Sequence, residues 1–161
     1  MVEGASSARA GARLSSTEEF AFPLFCFTHD SDIWTVRDRF ELTTCGPETL
    51  ETNIQIGMAM VDLEGRTWKV IAVEHLGYAP FRWRKLFAPR MKHVDHVLEA
   101  GPVWSLATVQ DRVCASMDAF PEYFCEPSEF ETVLVERKAE IRAAKSIADI
   151  HELIGPDYFS Y

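Results

Sequence analysis

Hydrophobic residues are sparse and unpatterned up to Glu18. They cluster or alternate in short runs from Phe20 to Val73, and they recur at helical spacing from Ser105 to Ile154. This succession predicts a polar tail, then strands, then helices. Residues 1–18, MVEGASSARAGARLSSTE, carry too little apolar surface to offset the entropy of ordering, and read as a disordered tail. Residues 19–161 read as a single domain.

Within the strand region, Phe20 to Phe27 is dense in aromatics and fits a buried strand, which Pro23 moves toward an edge or a bulge. The turn cluster His29-Asp30-Ser31-Asp32 leads into a second strand, Ile33 to Val36. Phe40, Leu42 and Thr44 alternate with polar neighbours, which favours a strand. Gly46-Pro47-Glu48 has the form of a helix start and predicts a short helix to about Asn53. A β-hairpin follows: Ile56 to Val61, the turn Leu63-Glu64-Gly65-Arg66, then Thr67 to Val73. Residues 77–104 hold Gly77, Pro80, Pro89, Gly101 and Pro102, and are expected to form irregular loops with one short helix over 91–99.

In the last third, Leu106, Val109, Val113 and Met117 share a face of a helix over 105–119, which Pro121 ends. Ser128-x-x-Glu131 and Ser146-x-x-Asp149 have the form of capping boxes and open two more helices, the second closed by Gly155-Pro156. Strands first and helices later predict an α+β fold, with a mainly antiparallel sheet from the N-terminal half packed against C-terminal helices.

Charge narrows the choice of partners. The net charge of −9 disfavours nucleic acid, whose backbone attracts clustered Lys and Arg, and suits a basic protein. No run is long enough to span a membrane and no signal peptide is visible, so a cytoplasmic location is expected. Cys26, Cys45, Cys114 and Cys125 fit no zinc spacing and read as reduced structural thiols.

Candidate chemistry is thin. His93 and His96 would share a face of a helix, but a metal site needs further ligands, and none stands out. Arg82, Arg84, Lys85, Arg90 and Lys92 interleave with Phe81, Trp83 and Phe87; this reads as a loop with inward aromatics and snorkelling cations. His29-Asp30 and Glu74-His75 set an acid beside an imidazole without making a dyad, and nothing selects Cys26 or Cys45 as the partner of His29 or His75. No catalytic, cofactor-binding or metal-binding residue is assigned. The terminal aromatics Tyr158, Phe159 and Tyr161 read as folding back on the core.

The aromatic N-terminal strand, the hairpin VDLEGRTWKV over 61–70 and the closing segment KAEIRAAKSIADIHELI over 138–154 together resemble small bacterial proteins found among the immunity proteins of polymorphic toxin systems. In those proteins a D-x-E-G-R-like hairpin comes early and an A-K-S-x-x-D-I helix closes the domain. The resemblance covers about half the chain and carries over no functional residues. It implies a non-catalytic, protein-binding module that neutralises a toxin, often a basic nuclease, by stoichiometric contact and without a cofactor. The candidate partner-binding residues are Glu48, Glu51, Asp62, Glu64 and Glu74, with Trp34, Trp68 and Tyr78 as anchors where exposed. A second acidic set is Glu129, Glu136 and Glu140. Two alternatives stand beside this reading. One is a small enzyme or ligand-binding domain with a pocket between sheet and helices, which would need convergent polar groups such as His75 and Cys45. The other is a structural, homo-oligomerising subunit.

Overall fold

In the computed structural model, which describes residues 11–79 and 90–155, the alternation of side chains along one strand divides the interior in two. Strand β2 (Leu24–Phe27) sends Leu24 and Cys26 to one face and Phe25 and Phe27 to the other, and all four are buried. Each face is covered by a different part of the chain.

Among the described residues the sheet has seven strands. These are β1 (Arg13–Leu14), β2, β3 (Ile33–Val36), β4 (Thr44–Cys45), β5 (Ala59–Val61), β6 (Thr67–Tyr78) and β7 (Lys92–Ala100). Their order is β1-β7-β6-β5-β2-β3, with β4 also paired to β7, and every pairing is antiparallel. The helices are α1 (Arg39–Leu42), α2 (Pro47–Thr52), α3 (Leu106–Ala119), α4 (Val133–Ala143) and α5 (Ile147–Ile154). An antiparallel sheet from the N-terminal half with helices in the C-terminal half is the α+β arrangement expected.

Helices α3, α4 and α5 cover Phe25, Phe27, Ile33 and Val61 with Val109, Val113, Met117, Ile141 and Ile150. His151 of α5 stacks on Phe25, with ring centroids 3.5 Å apart. The opposite face holds Leu24, Cys26, Met60, Trp68, Val70 and Leu98 beneath Leu42 of α1 and Met58. Thus α1 and the connection between α2 and β5, not the C-terminal helices, close the second core.

Several expectations change. Where a helix over 91–99 was expected, Lys92–Ala100 is strand: Val94, His96 and Leu98 alternate inward and are fully buried. Long-range pairing with β6 overrides the local breakers, so much of 77–104 is regular; residues 80–89, with most of the basic and aromatic stretch, lie outside the described residues. Arg39 to Leu42 is helical because Asp38 accepts from the Glu41 amide at 2.9 Å, while the Glu41 carboxylate accepts from the Arg37 amide at 2.7 Å. This local capping outweighs the alternation at 40–44. Helix α4 begins at Val133, since Ser128 falls inside a 3₁₀ turn opened by Pro127.

The tail boundary drawn at residue 18 falls inside ordered structure. Arg13 and Leu14 pair with Leu98 and Val97 on β7, and Ser15 is fully buried. Polar bonds hold this segment: the Arg39 guanidinium donates to the carbonyls of Ser15 and Glu18, each at 2.7 Å. A composition test, which weighs apolar content, does not register such contacts. Residues 1–10 and the terminal aromatics at 158–161 lie outside the described residues.

The remaining elements follow their local signals. Ser105 and Ser146 cap α3 and α5 through the amides of Thr108 and Asp149. Asn53 closes α2 in the left-handed conformation. The β5–β6 hairpin forms, with its first strand beginning at Ala59 rather than Ile56 and β6 running on to Tyr78 through register shifts at Ile71 and Leu76.

Candidate functional site

The residues first considered for partner binding fall in different environments. Glu48 and Glu51 are exposed on α2, Glu64 is exposed in the β5–β6 turn, and Glu74 is exposed on β6. A strand rises about 3.3 Å per residue, so the strand from Thr67 places Glu74 roughly 20 Å from the turn that holds Glu64. These glutamates therefore do not form one patch.

Asp62 and Trp68 are interior residues. Asp62 is fully buried and accepts from the amides of Ala21, Glu64 and Arg66 at 3.1, 3.0 and 3.0 Å, and from Arg66 Nε at 2.9 Å. It is the organiser of the hairpin turn, since one carboxylate satisfies three amides and a guanidinium. Trp68 packs edge-on against Phe20, with centroids 4.7 Å apart. Trp34 is half-buried against the second core, and its indole donates to Asp32 at 3.2 Å. Tyr78 is exposed, with the cations of Arg90 and Lys92 within 4.3 and 4.1 Å of its ring.

The second acidic set lies together along the chain and extends further than first drawn. Between Pro121 and Glu136 stand five glutamates, 122, 126, 129, 131 and 136, with no Lys, Arg or His among them. All five are exposed, as are the apolar side chains of Tyr123 and Val135. Arg137 follows the run directly, and beyond it Lys138 pairs with Asp118 at 2.6 Å and Arg142 with Asp111 at 2.9 Å. Glu140 is exposed one turn after Glu136. The absence of cations from 121 to 136 is visible in the sequence, although Glu122, Glu126 and Glu131 were not part of the set chosen there.

The thiol and imidazole pairs do not form. Cys26 is fully buried, and burial pushes its thiol up to about 12. Burial also raises the Cys45 thiol, against the opposing pull of Lys92. His29 and His75 are exposed, the former beside Asp30 and the latter within 3.0 Å of the Gly77 carbonyl. All four cysteines are free. His93 and His96, three apart on a strand rather than a helix, face opposite sides. Among the described residues, no group of three or more His, Cys, Asp or Glu is placed to hold a metal.

A cavity of about 80 Å³ lies between β3, β4, β7 and the α1–α2 segment, against Trp34, Leu42, Cys45, Gln55, Met58 and His96. It sits on the side of the N-terminal helices rather than the C-terminal ones, and it includes Cys45 but not His75. Nothing in the sequence marks Gln55 or His96 as its polar members, because they come together only when β7 crosses beneath the α2–β5 connection.

His96 belongs to a polar cluster at the β1 edge. Ser15 Oγ lies 2.8 Å from Asp95 Oδ1 and 3.1 Å from His96 Nδ1, and it accepts from the His96 amide at 2.9 Å. Ser16 donates to Asp95 through its amide at 2.9 Å and through its hydroxyl. Burial works to raise the Asp95 carboxyl, but the bonds from Ser16 and Ser15 prevail and hold it below the usual range. Burial lowers His96 to about 4, with Asp95 opposing, so its ring is neutral.

Compared with known proteins, the chain matches no family model, no curated protein and no solved structure. Among the described residues, no helix is long and apolar enough to cross a membrane.

Proposed function

We propose that this chain is a non-catalytic protein-binding module of the immunity type, which neutralises a basic toxin domain by stoichiometric contact. The observation that carries this reading is the cation-free run from Pro121 to Glu136, in which five glutamates and the side chains of Tyr123 and Val135 are exposed. Such a surface attracts a basic partner over distances of about a Debye length, roughly 8 Å at physiological salt. Tyrosine then supplies an anchor of the kind that dominates interface energetics. The net charge of −9 adds to the attraction and speeds encounter. A stable complex would bury about 1,200–2,000 Å² in total. Four free thiols suit a reducing compartment, and the module would act in the cytoplasm.

The test is capture from a native cell lysate at low and at high salt, read by mass spectrometry. One basic, toxin-like partner in equal stoichiometry, weakened by high salt, is the expected result. Capture of no partner under either condition would sink the reading.

A further inference from the structure

Positive charge, absent from the acidic run, gathers at the Tyr78 end of the β6–β7 ladder. Between Glu74 and Asp95 the sequence holds no Asp or Glu and five of the chain's sixteen Lys and Arg residues. Two of these, Arg90 and Lys92, lie among the described residues, and the ladder fixes their place. Tyr78 and Lys92 are register partners, and the Ala79 amide donates to the Met91 carbonyl at 2.9 Å. Side chains two apart on extended backbone share a face, so Arg90 and Lys92 both project beside Tyr78. The Arg90 guanidinium carbon lies 4.3 Å from the centre of the Tyr78 ring, and Lys92 Nζ lies 4.1 Å from it. Tyr78 is 53% exposed and Arg90 is exposed, so the group opens to solvent.

The immediate neighbours do not neutralise this pair. Among the described residues, neither cation takes part in an ion pair. The register partners of Lys92 are Tyr78 on one side and Cys45 on the other. A phenol keeps its proton below about pH 10, and burial raises the Cys45 thiol, so neither supplies a negative charge at neutral pH. The Tyr78 ring attracts both cations through its quadrupole but leaves their charges in place.

Two like charges held at one ring call for a ligand that carries two negative charges. The donor set agrees, since guanidinium and ammonium groups only donate, and the phenol hydroxyl can donate as well. A carboxylate or a phosphodiester brings a single charge. A phosphate monoester brings close to two above its second pKa of about 6, on three terminal oxygens. A guanidinium fork matches two such oxygens, and an ammonium serves as a point charge for the third. A nucleobase could stack on Tyr78 only by displacing a cation from the ring, and the net charge of −9 repels a long polyanion.

We propose that Tyr78, Arg90 and Lys92 form a surface site for the phosphate group of a small phosphate monoester. The site lies on β6 and β7 and uses no residue of the acidic run, so it stands or falls apart from the reading of that run as a partner surface.

The test uses the full chain, labelled with ¹⁵N, at pH 8 and constant ionic strength. Methyl phosphate is a dianion there, and dimethyl phosphate is a monoanion of similar shape. The expected result is saturable shifts of the Tyr78, Arg90 and Lys92 amide resonances with methyl phosphate, and at least tenfold weaker binding of dimethyl phosphate. Arg90→Gln and Lys92→Gln, each checked for folding by its amide spectrum, should each weaken methyl phosphate at least threefold. Equal affinity for the two phosphates, shifts that do not saturate, or binding unchanged in both variants would overturn the proposal. A single-stranded oligonucleotide without terminal phosphates, binding through the same residues at least tenfold more tightly than methyl phosphate, would also overturn it and assign the surface to a phosphodiester chain. The comparison of the two phosphates on the unaltered protein decides the matter even if a variant does not fold.

Discussion

Ser15 and Asp95 stand 80 positions apart in the chain and are joined by a buried hydrogen bond of 2.8 Å. Together with the pairing of Arg13 and Leu14 on β7, this bond ties the stretch from Arg13 to Ser15 to the sheet. Ser15→Ala removes the donor to Asp95 and the acceptor for the His96 amide and ring. Leaving such groups unpaired costs about 1–3 kcal/mol. Removal of residues 1–18 should cost at least as much, whereas a tail without contacts would cost nothing. Urea unfolding of both variants checks this.

Asp62 provides the second case of a carboxylate that serves structure and not a surface. It is fully buried, with Arg66 as its ion-pair partner at 2.8 Å. Asp62→Ala strands the amides of Ala21, Glu64 and Arg66 and removes the buried one of the two carboxylates that Arg66 meets, leaving it Glu64 at 3.2 Å. Leaving a buried amide without its acceptor costs about 1–3 kcal/mol. The thermal midpoint should fall accordingly, and partner capture should change only as far as folding does.

Gly65 completes the same turn. It holds a φ of +78°, and a Cβ there would come within 2.5 Å of the Trp104 carbonyl oxygen. That carbonyl belongs to the backbone, and the Trp104 amide itself donates to the Gly65 carbonyl at 2.8 Å, so neither side can retreat. Gly65→Ala combines left-handed strain of about 1–2 kcal/mol with a steric clash, and is expected to lower stability by more than the strain alone in a denaturant titration.

These cases show what local signals in the chain can convey. Helix α5 was legible because Ser146, Asp149 and Gly155 sit at the positions its caps require. The β5–β6 hairpin was legible because its turn is local. Strand β7 was not, since Val94, His96 and Leu98 alternate next to a stretch rich in breakers, and only pairing with β6 settles the segment as strand. The cavity was hidden for the same reason: Cys45, Gln55 and His96 meet through long-range topology and share no motif. In the acidic set, charge was legible but burial was not, and the turn residue Asp62 looks like any surface aspartate until its partners are known.

Acid should weaken the fold through two imidazoles. Burial lowers His151, stacked on Phe25, to about 3, and burial lowers His96 to about 4. Both are neutral in the folded and the unfolded chain well above pH 6.5. Below that value the unfolded chain takes up protons that the folded chain refuses, so stability is full above about 6.5 and falls as the pH drops toward 4 and 3. The loss by pH 4 is on the order of 2–3 kcal/mol for each ring. His151→Phe keeps an aromatic ring beside Phe25 and removes one titrating group. Its urea midpoint should decline less between pH 7 and pH 4.5 than that of the unaltered chain. An equal decline would assign the acid sensitivity elsewhere.

The acidic run offers the most direct link between surface and proposed activity. Glu129, Glu131 and Glu136 are exposed, and none takes part in an ion pair recorded among the described residues. Reversing all three to Lys should change stability by no more than about 0.5 kcal/mol per site, as for surface positions without special contacts. It changes the local charge by six units, however, from five glutamates and no cation to two glutamates and three cations. Association with a basic partner should then slow by at least tenfold at low salt and lose most of its salt dependence, because steering depends on the summed field. Glu48→Lys with Glu51→Lys, on α2, makes the matching control away from the run. Surface plasmon resonance with the captured partner measures both variants. Slowing by the triple variant with little change in the control locates the interface on the helices, and the reverse result moves it to α2.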